Sequence, residues 1–187
     1  MKARDNPLAT HRVLAIRYRP LDASWSELLD RLDRMNYRAA IAGPKGSGKT
    51  TLIEDLIPHL VARGLAPRLI RLSEESRVVD ESLLWDLTAC DIVLLDGAEQ
   101  LNALSWLHFR WLTRRAGGLI ITVHRPSRLP TLLRTTTTPQ LLQQITNELL
   151  GGNTPPPARI EELYATHRGN LREALRELYD DFAVMAL

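Results

Sequence analysis

The chain has 187 residues, the usual size of one globular domain with at most a small appendage. Its 44% hydrophobic and 25% charged residues exclude a disordered chain, and a formal net charge of +2 is too mild to imply nucleic acid by itself. One cysteine rules out an internal disulfide framework, no apolar run approaches a membrane span, and the first residues lack an apolar signal core, so a cytoplasmic protein with no membrane partner is expected.

Residues 1 to 12, with Asn6-Pro7, read as a loose arm. Arg4, Arg12, Arg17 and Arg19 make it basic, while Asp5 and Asp22 dilute that charge, so the arm gives only weak support to a nucleic-acid partner. Val13 to Ile16 is a short apolar run, and Pro20 blocks any helix from continuing. Ser24-Trp25-Ser26-Glu27 is a capping-box pattern, and the helix it opens carries Trp25, Leu28, Leu29, Leu32 and Met35 on one face. Tyr37 to Ala42 reads as a short core strand.

The next eight residues, Gly43-Pro44-Lys45-Gly46-Ser47-Gly48-Lys49-Thr50, fit G-x-x-x-x-G-K-[ST], the P-loop pattern. Glycines let the backbone turn tightly enough to bring several N–H groups onto one anion, and the helix that follows adds its positive end. Lys49 supplies a point charge for the β- and γ-phosphates and Thr50 a hydroxyl for Mg²⁺, with Thr51 closing the candidate binding stretch.

Leu52, Ile53, Leu56, Ile57, Leu60 and Val61 mark a buried helix stripe, with Pro58 expected to kink it and Gly64 to stop it. Pro67 to Leu72 reads as a strand, and Asp80 as the cap of a short helix. Cys90, at the edge of the following strand, is expected to be a buried structural thiol. Ile92-Val93-Leu94-Leu95-Asp96 is a continuous apolar run ending in an acid, the mark of a buried parallel strand whose carboxylate emerges at its C-terminal edge, where open α/β sheets bind ligands. Asp96 is therefore the candidate for holding Mg²⁺.

Residues 102 to 115 read as a helix whose aromatics are core packing, except that Trp106 and Arg110 are placed on the less apolar face, where a base could stack. Leu119 to Val123 is another buried strand, running into His124 and Arg125. Leu132 to Thr138 is a last β-branched stretch, and its four threonines read as strand, not as a functional tract. From Pro139 the pattern is helical, broken by the loop from Gly151 through Gly152, Asn153 and Thr154 to Pro157, and by a turn at residues 167 to 170 that caps the final helix. The boundary expected is residues 1–138 for an α/β nucleotide-binding core with its arm, and 139–187 for a small helical subdomain.

The order of P-loop, acid-ended strand and polar-ended strand resembles the additional-strand class of P-loop ATPases, and within it a minimal AAA+ or AAA+-like ATPase. The resemblance implies a three-layer α/β core with a parallel five-stranded sheet in the order 5-1-4-3-2 and a C-terminal helical lid. It implies an ATP-binding, Mg²⁺-dependent ATPase that couples nucleotide state to a protein partner, an assembly or further copies of itself. Gly43 to Thr50 matches the Walker A motif and Asp96 the Walker B acid. Thr122 or His124 falls where the family keeps its sensor 1 residue. Gly169-Asn170-Leu171-Arg172-Glu173-Ala174-Leu175 resembles the sensor 2 helix, which makes Arg172 the reader of the γ-phosphate. Arg17-Tyr18-Arg19-Pro20 is similar to an N-terminal motif of clamp-loader ATPases. Arg134 is similar in position to their arginine finger, with Arg114 and Arg115 as rivals.

One departure is chemically important. The residue after Asp96 is Gly97 where the family has its catalytic glutamate, and Glu99 comes two residues later still. Glu99 either reaches the attacking water or merely begins the next helix. If it does not reach, the chain is a nucleotide-binding switch with little hydrolysis. A small-molecule kinase, which shares the P-loop but needs an acceptor site, is a third reading.

Overall fold

The structure, a computed structural model, describes residues 6–20, 23–126, 128–151 and 154–185. The expectations that rest on Arg4, Asp5, Asp22, Gly152 and Asn153 lie outside the described residues. The chain divides into two compact units, one of residues 18–43 and 52–134, the other comprising the described parts of residues 1–17, 44–51 and 135–187.

The first unit is built on a parallel sheet of β1 (Arg38–Ala42), β2 (Ala66–Arg71), β3 (Asp91–Asp96), β4 (Gly118–Val123) and β5 (Thr131–Arg134). Their spatial order is β2-β3-β4-β1-β5, the order 5-1-4-3-2 read from the opposite edge, as the resemblance implies. The period-two alternation of the central strands feeds two separate cores. Ala40, Ala42, Val93, Leu95, Leu119, Ile121 and Val123 pack on one face against Leu84, Leu87, Trp106 and Phe109. Ala39, Ile41, Ile92, Leu94 and Ile120 pack on the other against Leu28, Leu32, Leu52, Ile53 and Leu56. The unit is therefore a three-layer α/β sandwich. One outer layer carries α2 (Trp25–Arg34) and the body of α3 (Lys49–Ala62). The other carries α4 (Ala103–Leu112), preceded by a short 3₁₀ turn, Glu81–Leu84.

Local chemistry sets these boundaries. Ser24 caps α2 through the reciprocal capping box with Glu27. Helix α3 runs through Pro58 to Ala62. Asn102 caps α4 by accepting from the Ser105 N–H. Two expectations are corrected here. Cys90 is exposed, because it sits in the turn before β3 and not within the strand. Trp106 is buried with Phe109, and the exposed face of α4 is instead Leu104, Leu107 and Trp111. A helix apolar on both sides has no periodic signal to say which side faces the sheet.

The second unit is helical: α5 (Pro139–Leu150), α6 (Pro157–Thr166) and α7 (Leu171–Met185) share a core of Leu142, Leu149, Ile160, Leu163, Ala174 and Leu178. The described part of the arm is not loose. Leu8 is buried in this core, the Asn6 side-chain amide donates to the Tyr179 carbonyl at 3.1 Å, and α1 (Thr10–Leu14) follows directly. Among the described residues no helix is long and apolar enough to cross a membrane.

Candidate functional site

The glycine-rich loop leaves β1 at Gly43, whose N–H donates to the Val123 carbonyl at the end of β4. Pro44 and Lys45 are exposed, and Gly46 and Gly48 occupy the left-handed region at φ +75° and +84°. A Cβ on Gly46 would lie 1.8 Å from Asn170 Oδ1, so the position has neither the conformation nor the room for a side chain. Lys49 opens α3 and is 8% exposed, with its ammonium donating to the Pro44 carbonyl at 2.8 Å. Ser47 is buried. Its hydroxyl donates to the same carbonyl at 2.7 Å and bonds Thr135 Oγ1 at 2.6 Å. Thr50 and Thr51 follow on the first turn of α3, half-buried. The donor set suits a polyphosphate: a glycine turn, the start of a long helix, one ammonium and a threonine hydroxyl. Arg172, the second residue of α7, is exposed, two residues beyond the Asn170 that abuts Gly46.

In the first unit the acid-bearing strand end forms its own cluster. The Thr122 hydroxyl, fully buried on β4, donates to Asp96 Oδ1 at 2.6 Å and accepts the Gly97 N–H at 2.8 Å. Thr122 therefore uses its donor to hold the carboxylate in place and its acceptor to hold the turn after it. Gly97 sits at φ +88°, and a Cβ there would lie 2.4 Å from the Leu72 carbonyl oxygen. That geometry excludes a glutamate at this position. The next acid in the chain is Glu99, on the 3₁₀ turn Ala98–Gln100.

Glu99 Oε1 lies 3.0 Å from His124 Nε2, and His124 is the more exposed of the two. Glu99 Oε2 is buried without a hydrogen-bond partner among the described residues, as is Arg128 Nη1. The Arg128 guanidinium donates to the Leu101 carbonyl at 2.6 Å and lies over the Trp106 ring at 4.9 Å. Burial pushes its pKa down, opposed by the nearby Glu99 carboxylate. Among the described residues no three His, Cys, Asp or Glu side chains are grouped to hold a metal ion. A lone carboxylate such as Asp96 is the kind of sparse protein ligand that suits Mg²⁺, which keeps most of its waters. Arg134 is exposed at the end of β5, in register with Ala42, the last residue of β1.

Three participants escaped the sequence reading. Thr135 and the packing role of Asn170 depend on partners far away in the chain, which leave no local trace. Arg128 holds a positive φ of 67°, rare for a side chain of its size, and no pattern announces it.

No protein-family model matches the chain, and no curated protein does. Solved structures match its fold. A point mutant of Thermotoga maritima RuvB is 17% identical, with a TM-score of 0.56 over 86% of this chain and 63% of that one. The Thermotoga maritima RuvB Holliday junction branch migration motor is 18% identical, with a TM-score of 0.55 over 88% of this chain and 63% of that one. The chain thus spans less than two thirds of the length of these proteins. At such identity the likeness concerns fold alone: the five-stranded parallel sheet with helices on both faces is a fold that this chain shares with those structures.

Proposed function

We propose that this protein binds ATP with Mg²⁺ and hydrolyses it, coupling nucleotide state to a protein partner, an assembly or further copies of itself. The observation that carries this reading is the glycine turn at Gly46 and Gly48 running into Lys49 and Thr50 at the head of a 14-residue helix. The AAA+-like fold supports it.

Residues 43 to 51 bind the phosphates, with Lys49 countering their charge. Thr50 and Asp96 hold Mg²⁺, and Thr122 positions the Asp96 carboxylate. When bound, the metal neutralises charge on the transferring phosphoryl group. Glu99 orients the attacking water, and His124, at hydrogen-bond distance from it, holds or relays the proton. Arg172 reads the γ-phosphate from α7, in a helical lid of residues 139–187. Arg134 acts as an arginine finger toward a neighbouring copy, a role its exposure permits. We place this activity in the cytoplasm.

A second reading, a nucleotide switch with little turnover, is favoured by one observation. The position after Asp96 is closed to a glutamate by the Leu72 carbonyl, and the displaced Glu99 is already engaged by His124. Binding of a fluorescent ATP analogue with and without Mg²⁺ tests the common core of both readings. Lys49→Ala is expected to weaken affinity by more than about tenfold, the worth of a buried charge-assisted contact. Unchanged affinity overturns both.

A further inference from the structure

The four threonines at 135 to 138 do not continue β5, which ends at Arg134. Three of them spend their hydroxyls on specific partners. Ser47 donates to the Pro44 carbonyl at 2.7 Å and shares a 2.6 Å hydroxyl–hydroxyl hydrogen bond with Thr135. The result is a continuous chain. Thr135 is bonded to Ser47, Ser47 donates to the Pro44 carbonyl, and that carbonyl also accepts the Lys49 ammonium. Thr135 is 1% exposed and Ser47 4%, so water cannot replace the link.

Two residues on, Thr137 Oγ1 donates to the Gly169 carbonyl at 2.9 Å, and the Tyr164 hydroxyl donates to the Thr137 carbonyl at 2.7 Å. Gly169, at φ +78°, is backed so closely that a Cβ would lie 3.0 Å from both hydroxyl oxygens. Its neighbour Asn170 caps α7 and presses on Gly46. Thr138 caps α5 by accepting the Leu141 N–H. The path closes on itself, from Ser47 through Thr135 and Thr137 to Gly169 and Asn170, then back to Gly46.

We propose that Thr135 and Thr137 are positioning residues of the nucleotide site, a polar strap that fixes the glycine loop through Ser47 and ties it to the turn that launches α7 and Arg172. This rests on the ATP-binding reading for its function, though not for its structure. A change in loop geometry on one side of the ring is transmitted to residues 169 and 170 on the other, through the buried Ser47–Thr135 bond and the part-buried bonds of Thr137.

Amide hydrogen exchange on the nucleotide-free protein, paired with ATP-analogue titration, tests it. Thr135→Val is expected to speed exchange at residues 44–48 and weaken analogue binding about fivefold, the size of one net hydrogen bond. Thr135→Ser restores both, and exposed Thr136→Val leaves both at wild-type values. Thr137→Val speeds exchange at residues 164–170. Wild-type exchange at residues 44–48 in Thr135→Val overturns the strap, whatever the nucleotide data show. Faster exchange in a protein whose wild type binds no nucleotide leaves the strap standing and removes the ATP-binding reading.

Discussion

Around the glycine loop the hydroxyls of Ser47, Thr135 and Thr137 all have partners, whereas at the end of β3 two buried polar atoms, Glu99 Oε2 and Arg128 Nη1, have none among the described residues. The glycines differ in the same way. Gly46 is required by the side chain of Asn170, a neighbour across the loop, and Gly97 by the Leu72 main-chain carbonyl. A satisfied network is rigid and pre-organised for binding, while an unsatisfied carboxylate oxygen beside a histidine retains capacity for a water or a proton. The proposed function asks for this contrast, a loop that binds and a strand end that does chemistry.

Substitutions can break each side separately. The largest effect is expected from Gly97→Glu, which places an acid directly after Asp96 but forces a side chain into a left-handed position against backbone. It should cost about 3 kcal/mol or more in denaturant unfolding and give no gain in turnover. Gly46→Ala carries a strain of about 1–3 kcal/mol without burying a charge, and should lower ATP-analogue affinity at least about tenfold by titration. Thr122→Val removes the acceptor of the Gly97 N–H and one donor to the Asp96 carboxylate. A loss of about 1–3 kcal/mol in stability is expected, with turnover falling alongside it. Arg128→Met, the smallest change, should shift unfolding by under about 1 kcal/mol, because replacing an incompletely paired buried charge with an apolar chain of similar reach is close to neutral. A large loss there would show that the unpaired guanidinium is a structural keystone, and would erase the contrast between the two centres.

Much of the fold was legible because its cause is local. The alternating strands, the capping box at Ser24 and the glycine–lysine loop each write their geometry into adjacent residues. What was illegible depends on distance or symmetry. The Ser47–Thr135 bond joins residues 88 apart, and a run of β-branched threonines looks like strand whether or not its hydroxyls are engaged. Trp106 was misplaced because α4 is apolar on both faces. Leu8 gave no sign that the arm docks on the helical core, since a single leucine carries no period. Gly97 was visible as a departure, but only the Leu72 carbonyl explains why a glutamate cannot stand there.

The division between a binding loop and a chemical strand end is tested most directly by single-turnover ATP hydrolysis with Glu99→Gln beside wild type, affinity being measured on the same samples. The account predicts that Glu99→Gln binds ATP within about twofold of wild type and loses turnover by about a hundredfold, the reach of a general base. Wild-type turnover in Glu99→Gln would contradict it, and would return the displaced glutamate to a structural role.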